Sequence, residues 1–153
     1  MKWSAEDIKS YIEAKEYVDT AIIQLVPLEF GEGLAGAASA AEYIGLLATQ
    51  LERQFTGRVL LLPPFTYLKE EGVAEAFARL SKWEERLADE GIRNIFFLTS
   101  AQEWRNAEEN LNGSLIWLPA LPLASIDERQ KVLLVNDQVK QLMQLFTNKW
   151  RAE

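Results

Sequence analysis

Apolar positions along this chain change their period several times, and each change marks an element. Ser4 precedes Asp7 in a loose capping-box spacing, and Ile8, Tyr11 and Ile12 then share one helical face. That predicts a short N-terminal helix ending near Lys15. Val18 to Val26 is rich in β-branched residues and is stopped by Pro27. So short an apolar run, without polar alternation, reads as a strand covered on both faces. A glycine-containing loop, Leu28 to Gly36, leads into Ala38, Ala41, Ile44, Leu47, Leu51 and Phe55 at helical spacing, with Gly57 where a C-terminal cap belongs.

The same unit then recurs. Val59 to Leu62 is a strand ended by Pro63 and Pro64, and Val73, Phe77, Leu80, Trp83 and Leu87 form a helical stripe closed by Gly91. Ile95 to Leu98 is a third strand. Ser100 with Glu103 predicts a capping box, opening a helix that carries Trp104. Asn110 to Ser114 is turn chemistry, and Leu115 to Leu118 is a fourth strand stopped by Pro119. Ser125 with Glu128 predicts the cap of the last helix, which carries Val132, Val135, Val139, Leu142, Phe146 and Trp150 on one side. Lys131 to Val135 also fits a fifth strand, with Asn136 or Asp137 capping a shorter helix. The helical period runs through the segment and favours one long helix.

Strands of buried composition alternating with helices imply an α/β fold. The expectation is a three-layer, flavodoxin-like sandwich: four or five mostly parallel strands in the order 2-1-3-4, helices on both faces and an extra N-terminal helix. No linker or low-complexity tract divides residues 1–153, so one domain is expected.

Composition narrows the chemistry more than the fold. The chain has no histidine and no cysteine. Imidazole bases, thiolate nucleophiles, soft-metal ligands and disulfides are therefore excluded. The net charge is −7, which repels phosphate backbones and anionic head groups, so nucleic acid is a poor partner. Met1 to Ser10 is polar, without a signal-peptide core, and no apolar run approaches the roughly 20 residues of a membrane span. The expected compartment is the cytoplasm.

In an open parallel sheet, ligands bind beyond the carboxyl ends of the strands where strand order reverses. The loops there are Pro27–Gly36, Pro63–Tyr67, Thr99–Ala101 and Pro119–Leu123. The first contains a literal G-x-G-x-x-G, with Gly31, Gly33 and Gly36. Glu29 and Glu32 place negative charge where pyrophosphate would sit, and no acidic residue ends the second strand to hold a ribose. The glycines therefore read first as loop residues. Glu29 and Glu32 as a hard-cation pair would need further ligands converging from elsewhere. Ser100 lacks a histidine to activate it, and its capping position accounts for it. Thr66, Tyr67 and Thr99 fall in the remaining loops. Phe30, Phe65, Tyr67 and Trp104 lie near the strand ends, where they either line an apolar groove or cover the sheet. Trp117 belongs to the core. These residues define a ligand-binding candidate with no catalytic set, no metal set and no cofactor.

Met1-Lys2-Trp3, the run Ala14 to Ala21 (AKEYVDTA) and the strand end at Pro27 resemble the YpiF-like proteins of endospore-forming Gram-positive bacteria. The resemblance extends along most of the chain. It implies a bacterial cytoplasmic protein and transfers no catalytic residue. The expected function is a non-catalytic α/β module that binds another protein or a second copy of itself. The alternative is a small-ligand protein or enzyme using the Gly31–Gly36 loop for a nucleotide or metabolite.

Overall fold

The computed structural model describes every residue from Met1 to Glu153. In chain order the elements are α1 (Ala5–Glu13), β1 (Thr20–Leu28), α2 (Leu34–Gln54), β2 (Val59–Leu61), β3 (Phe65–Leu68), α3 (Val73–Asp89), β4 (Asn94–Thr99), a 3-10 segment Gln102–Asn110, β5 (Ser114–Trp117) and α4 (Glu128–Arg151). The main sheet runs β2-β1-β4-β5, and β3 pairs with the outer half of β1. Every pairing is parallel. This is the three-layer α/β sandwich with an added N-terminal helix, in the strand order that the sequence predicts.

Side-chain alternation builds the layers. Ile23, Leu25, Ile95 and Phe97 point to a core beneath α1, α3 and the 3-10 segment. Their neighbours Ile22, Phe96, Leu98 and Ile116 point to the opposite core beneath α2 and α4. Strands buried on both faces cannot alternate apolar with polar, which is why they read as continuous runs.

Four local expectations are corrected. Pro27 does not stop β1, which continues to Leu28. Beyond Gln24 the strand no longer pairs with β4, and the nitrogen of Pro27 falls on that unpaired side, so the missing N–H breaks no ladder. Thr66 and Tyr67 lie in a strand, not a loop: Pro63 and Pro64 interrupt the edge strand, which resumes as β3 against Leu25–Leu28. The segment after β4 is 3-10, and Ser100 does not cap it; its N-cap position is Ala101, without a side-chain bond. Finally, Asp127 rather than Ser125 caps α4, accepting the Gln130 N–H at 2.8 Å. Lys131 to Val135 is helical within α4, as the period favours.

The β2–β3 edge is closed by its own chain. Met1 donates its ammonium to the Val59 carbonyl (2.6 Å) and accepts the Leu61 N–H (2.8 Å). The same ammonium pairs with buried Glu52 at 2.7 Å. Farther along, Glu71 accepts the Leu68 N–H (2.7 Å) and Arg79 donates to the Thr66 carbonyl (3.2 Å). Four of the outward groups that a foreign strand could seize there are therefore occupied: the Val59 and Thr66 carbonyls and the Leu61 and Leu68 N–H groups.

Candidate functional site

Strand order reverses between β1 and β4, and a cleft of 330 Å³ opens at their carboxyl ends. Leu25, Val26 and Ile44 form its apolar floor. One wall is the small-residue side of α2: Gly36, Ala37, Ala40 and Ala41. The other is Ser100 to Glu103. Glu29 and Lys69 face each other at the mouth as a half-exposed ion pair, 3.3 Å apart. The Glu29 carboxylate lies against Gly33, just before α2, where any Cβ would collide with it. The chain thus sets its own anion beside the helix start, where a phosphate would otherwise be attracted.

Ser100 is the one unusual polar group in the cleft. Its Oγ is buried and has no hydrogen-bond partner. Freed from the expected cap, it is an unspent donor and acceptor buried within a residue that lines the cleft. Thr99 beside it is fully committed: Oγ1 donates to the Leu25 carbonyl at 2.9 Å and accepts the Ala101 N–H at 3.1 Å, tying β4 to β1.

The aromatics expected near the strand ends divide. Trp104, Phe65 and Tyr67 are buried and pack edge to face below the sheet. Trp104 Nε1 donates to the Tyr67 hydroxyl at 2.8 Å, and that hydroxyl donates to Glu103 at 3.0 Å. Burial, with the Glu103 charge next to it, drives the Tyr67 hydroxyl far above its ordinary pKa, so it stays protonated. These rings cover the sheet and line no groove. Phe30, by contrast, is 65% exposed, and with Leu28, Leu34 and Leu68 (41%, 51% and 44%) it forms an apolar rim. Leu28 and Leu68 are register partners, and Leu28, Phe30 and Leu34 share a shallow hollow on the edge of α2.

Of the residues singled out from sequence, Glu29, Gly36 and Ser100 therefore meet in the cleft, and Phe30 stands on its rim. Gly33 underlies Glu29. Gly31, with φ of 80°, makes the turn into the short 3-10 piece before α2, and Glu32 there faces water. Thr66 sits exposed on β3, while Thr99, Tyr67 and Trp104 are internal. Sequence reasoning missed Lys69 and Gln102, and placed Glu103 only as a capping partner. Lys69 was hidden because Phe65–Leu68 was not recognised as a strand. A larger groove of 790 Å³, walled by Trp3, Tyr11, Pro63 and Trp83, lies on the α1–α3 face away from the strand ends. No group of three acidic side chains converges anywhere in the molecule, and no helix is long and apolar enough to cross a membrane.

Residues 9–150 match the family model described as a protein of unknown function, DUF2487. The chain belongs to the DUF2487 family. It is 33% identical over 150 residues to the uncharacterized protein YpiF of Bacillus subtilis (strain 168), spanning 98% of each chain. No solved structure matches. The DUF2487 assignment agrees with the resemblance carried by the Ala14–Ala21 segment. The structure gives that segment a local role: Asp19 accepts bonds from Arg58 (3.0 and 3.1 Å) and Arg93 (3.1 Å) at the amino end of the sheet. Burial alone would raise the Asp19 pKa, but bonds from Arg58, Thr20 and Arg93 outweigh it and hold the carboxyl below its ordinary range.

Proposed function

We propose that this DUF2487 protein is a non-catalytic cytoplasmic module, a single folded unit that engages a protein partner at the carboxyl-end rim of its sheet. The apolar rim of Leu28, Phe30, Leu34 and Leu68 carries the reading. Four large apolar side chains in one exposed cluster cost solvation unless something covers them. The polar groups around them are mostly engaged internally, which leaves surface rather than chemistry as the asset of this end. The acidic net charge favours a partner with basic residues flanking its contact. The experiment is a tagged pull-down from a native extract, comparing the wild type with Phe30→Asp/Leu34→Asp at matched melting temperature. A reproducible partner lost in the variant is expected. Equal capture by both proteins, or capture by neither, refutes the rim.

One observation favours a second reading. The unpartnered Ser100 Oγ would hydrogen-bond a small ligand seated in the 330 Å³ cleft. A thermal-shift panel of nucleotides, flavins and sugar phosphates tests it, since a ligand that binds only the folded state raises the melting point. The Glu29 carboxylate at the start of α2 disfavours phosphates, so uncharged and cationic metabolites belong in the panel. No shift at millimolar concentration removes this reading.

A further inference from the structure

The two edges of the sheet are treated differently, and the difference points to self-association at β5. On the β2–β3 side, Met1, Glu71 and Arg79 occupy four of the outward N–H and carbonyl groups, those of Val59, Leu61, Thr66 and Leu68. On the other side, the Leu118 N–H bonds to Thr99 in β4 at 2.9 Å, so Leu115 and Trp117 turn their backbone groups outward by alternation. Those groups have no partner within the chain.

The flank of α4 beside this edge has a matching character. Val135, Val139, Leu142 and Phe146 face the core, and Met143 and Trp150 turn toward α2, where Trp150 meets Phe55 at 4.9 Å. At 3.6 residues per turn, Leu134, Gln138, Gln141 and Leu145 then fall on the opposite flank, turned away from α2 and toward the β5 side of the sheet. Leu134 and Leu145 are 42% and 47% exposed. Between Lys131 and Lys149, which border it one turn beyond either end, the stripe holds no charge, although a quarter of the chain is charged. It also reads the same in both directions: leucine, glutamine, glutamine, leucine.

We propose that the occupant of this edge is a second copy of the chain, related by a two-fold axis. Antiparallel β5 strands would join the two sheets edge to edge and lay the two α4 helices side by side. An isologous contact needs a self-complementary patch. Here Leu134 meets the partner's Leu145, and Gln138 meets the partner's Gln141. For two molecules each carrying −7, a flank with no acidic side chain among its four central positions also allows close approach with less repulsion. The stacking of Phe96 on Phe146 fixes α4 along the sheet and sets the middle of the stripe level with the carboxyl half of β5.

The surface is distinct from the Phe30 rim, so each can fail alone. The experiment is sedimentation over a concentration series, with circular dichroism and melting curves to show that each variant folds. The wild type is expected to dimerise reversibly. Leu134→Lys/Leu145→Lys sets like charges opposite each other and should weaken the dimer by about a hundredfold or more. Leu134→Lys/Leu145→Glu places opposite charges across the axis and should recover most of that loss, which mere disruption of α4 would not allow. Phe30→Asp/Leu34→Asp should leave the dimer intact. A wild type that stays monomeric throughout the series overturns the proposal. So does a dimer that survives the double lysine variant, or one that the Lys/Glu pair fails to restore.

Discussion

Tyr67→Phe isolates the buried hydrogen bond that ties β3 to the 3-10 segment. The ring keeps its place between Phe65 and Trp104, so little packing is lost. Only the hydroxyl goes. That leaves the Trp104 Nε1 donor, in a fully buried side chain, with no acceptor. An orphaned buried donor costs about 1–3 kcal/mol. The other broken bond, to half-buried Glu103, adds little because water can replace it. A loss of about 2 kcal/mol corresponds to a melting point lower by about 4–8 °C in a chain of this length. Urea unfolding followed by tryptophan fluorescence should show a lower midpoint with an unchanged slope. The pH dependence gives a second check. The folded-state pKa of Tyr67 lies above the unfolded one, so its contribution is whole below about pH 10 and is lost as pH rises past that value. The wild type should lose this alkaline component and the phenylalanine variant should lack it. In a cycle with Trp104→Phe, the two changes should couple by about 1 kcal/mol, since each removes the same bond. A midpoint within error of the wild type would show that the hydroxyl does not hold the indole.

Asp19→Asn should lower stability at neutral pH by about 1 kcal/mol, a modest value because both arginines are partly exposed. Because the folded-state pKa is depressed, the contribution is present above about pH 4 and fades as pH falls, so variant and wild-type melting curves should converge in acid. Glu84 has the opposite sense. Burial raises its pKa, against backbone bonds from Gly113 and Asn112, so its charged form burdens the fold as pH rises. The melting-point difference of Glu84→Gln over wild type should therefore grow in the variant's favour from about pH 4 upward; a flat difference refutes the assignment. Gly113→Ala places a Cβ 2.6 Å from the Phe97 ring and 2.7 Å from the Ile95 carbonyl, and chemical denaturation should register a loss of about 1–3 kcal/mol.

The sandwich was legible because its strands are short apolar runs punctuated by proline and its helices carry unbroken stripes. What escaped lay where two local rules compete. Phe65–Leu68 follows two prolines, and four alternating residues are too few to separate a strand from a turn. Its partner is the outer half of β1, forty residues away, which no local pattern reveals. Ser100 and Glu103 have capping spacing, but Glu103 is drawn to the Tyr67 hydroxyl and the Ser100 Oγ is left buried and unpartnered. Asp127 succeeded as a cap where Ser125 did not, because Leu123–Ser125 forms its own 3-10 turn with the Ser125 N–H on the Pro122 carbonyl.

The fate of the aromatics follows from one of these departures. A 3-10 segment winds more tightly than an α-helix and presents a narrower apolar face. From Gln102 to Asn110 only Trp104 and Ala107 reach the core. One large ring must then cover the area that an α-helix would have covered with several side chains, and Phe65 and Tyr67 from β3 fill what remains around it. The rings that looked available for a ligand were thus consumed in closing the sheet. Phe30 escaped because its loop stands beyond the last strand pair, where no helix arrives to bury it. If the crossover were lengthened into a full α-helix, the need for Trp104 would weaken. With the crossover as it is, Trp104→Ala should cost about 3–5 kcal/mol, near the upper end for any single core residue of this protein.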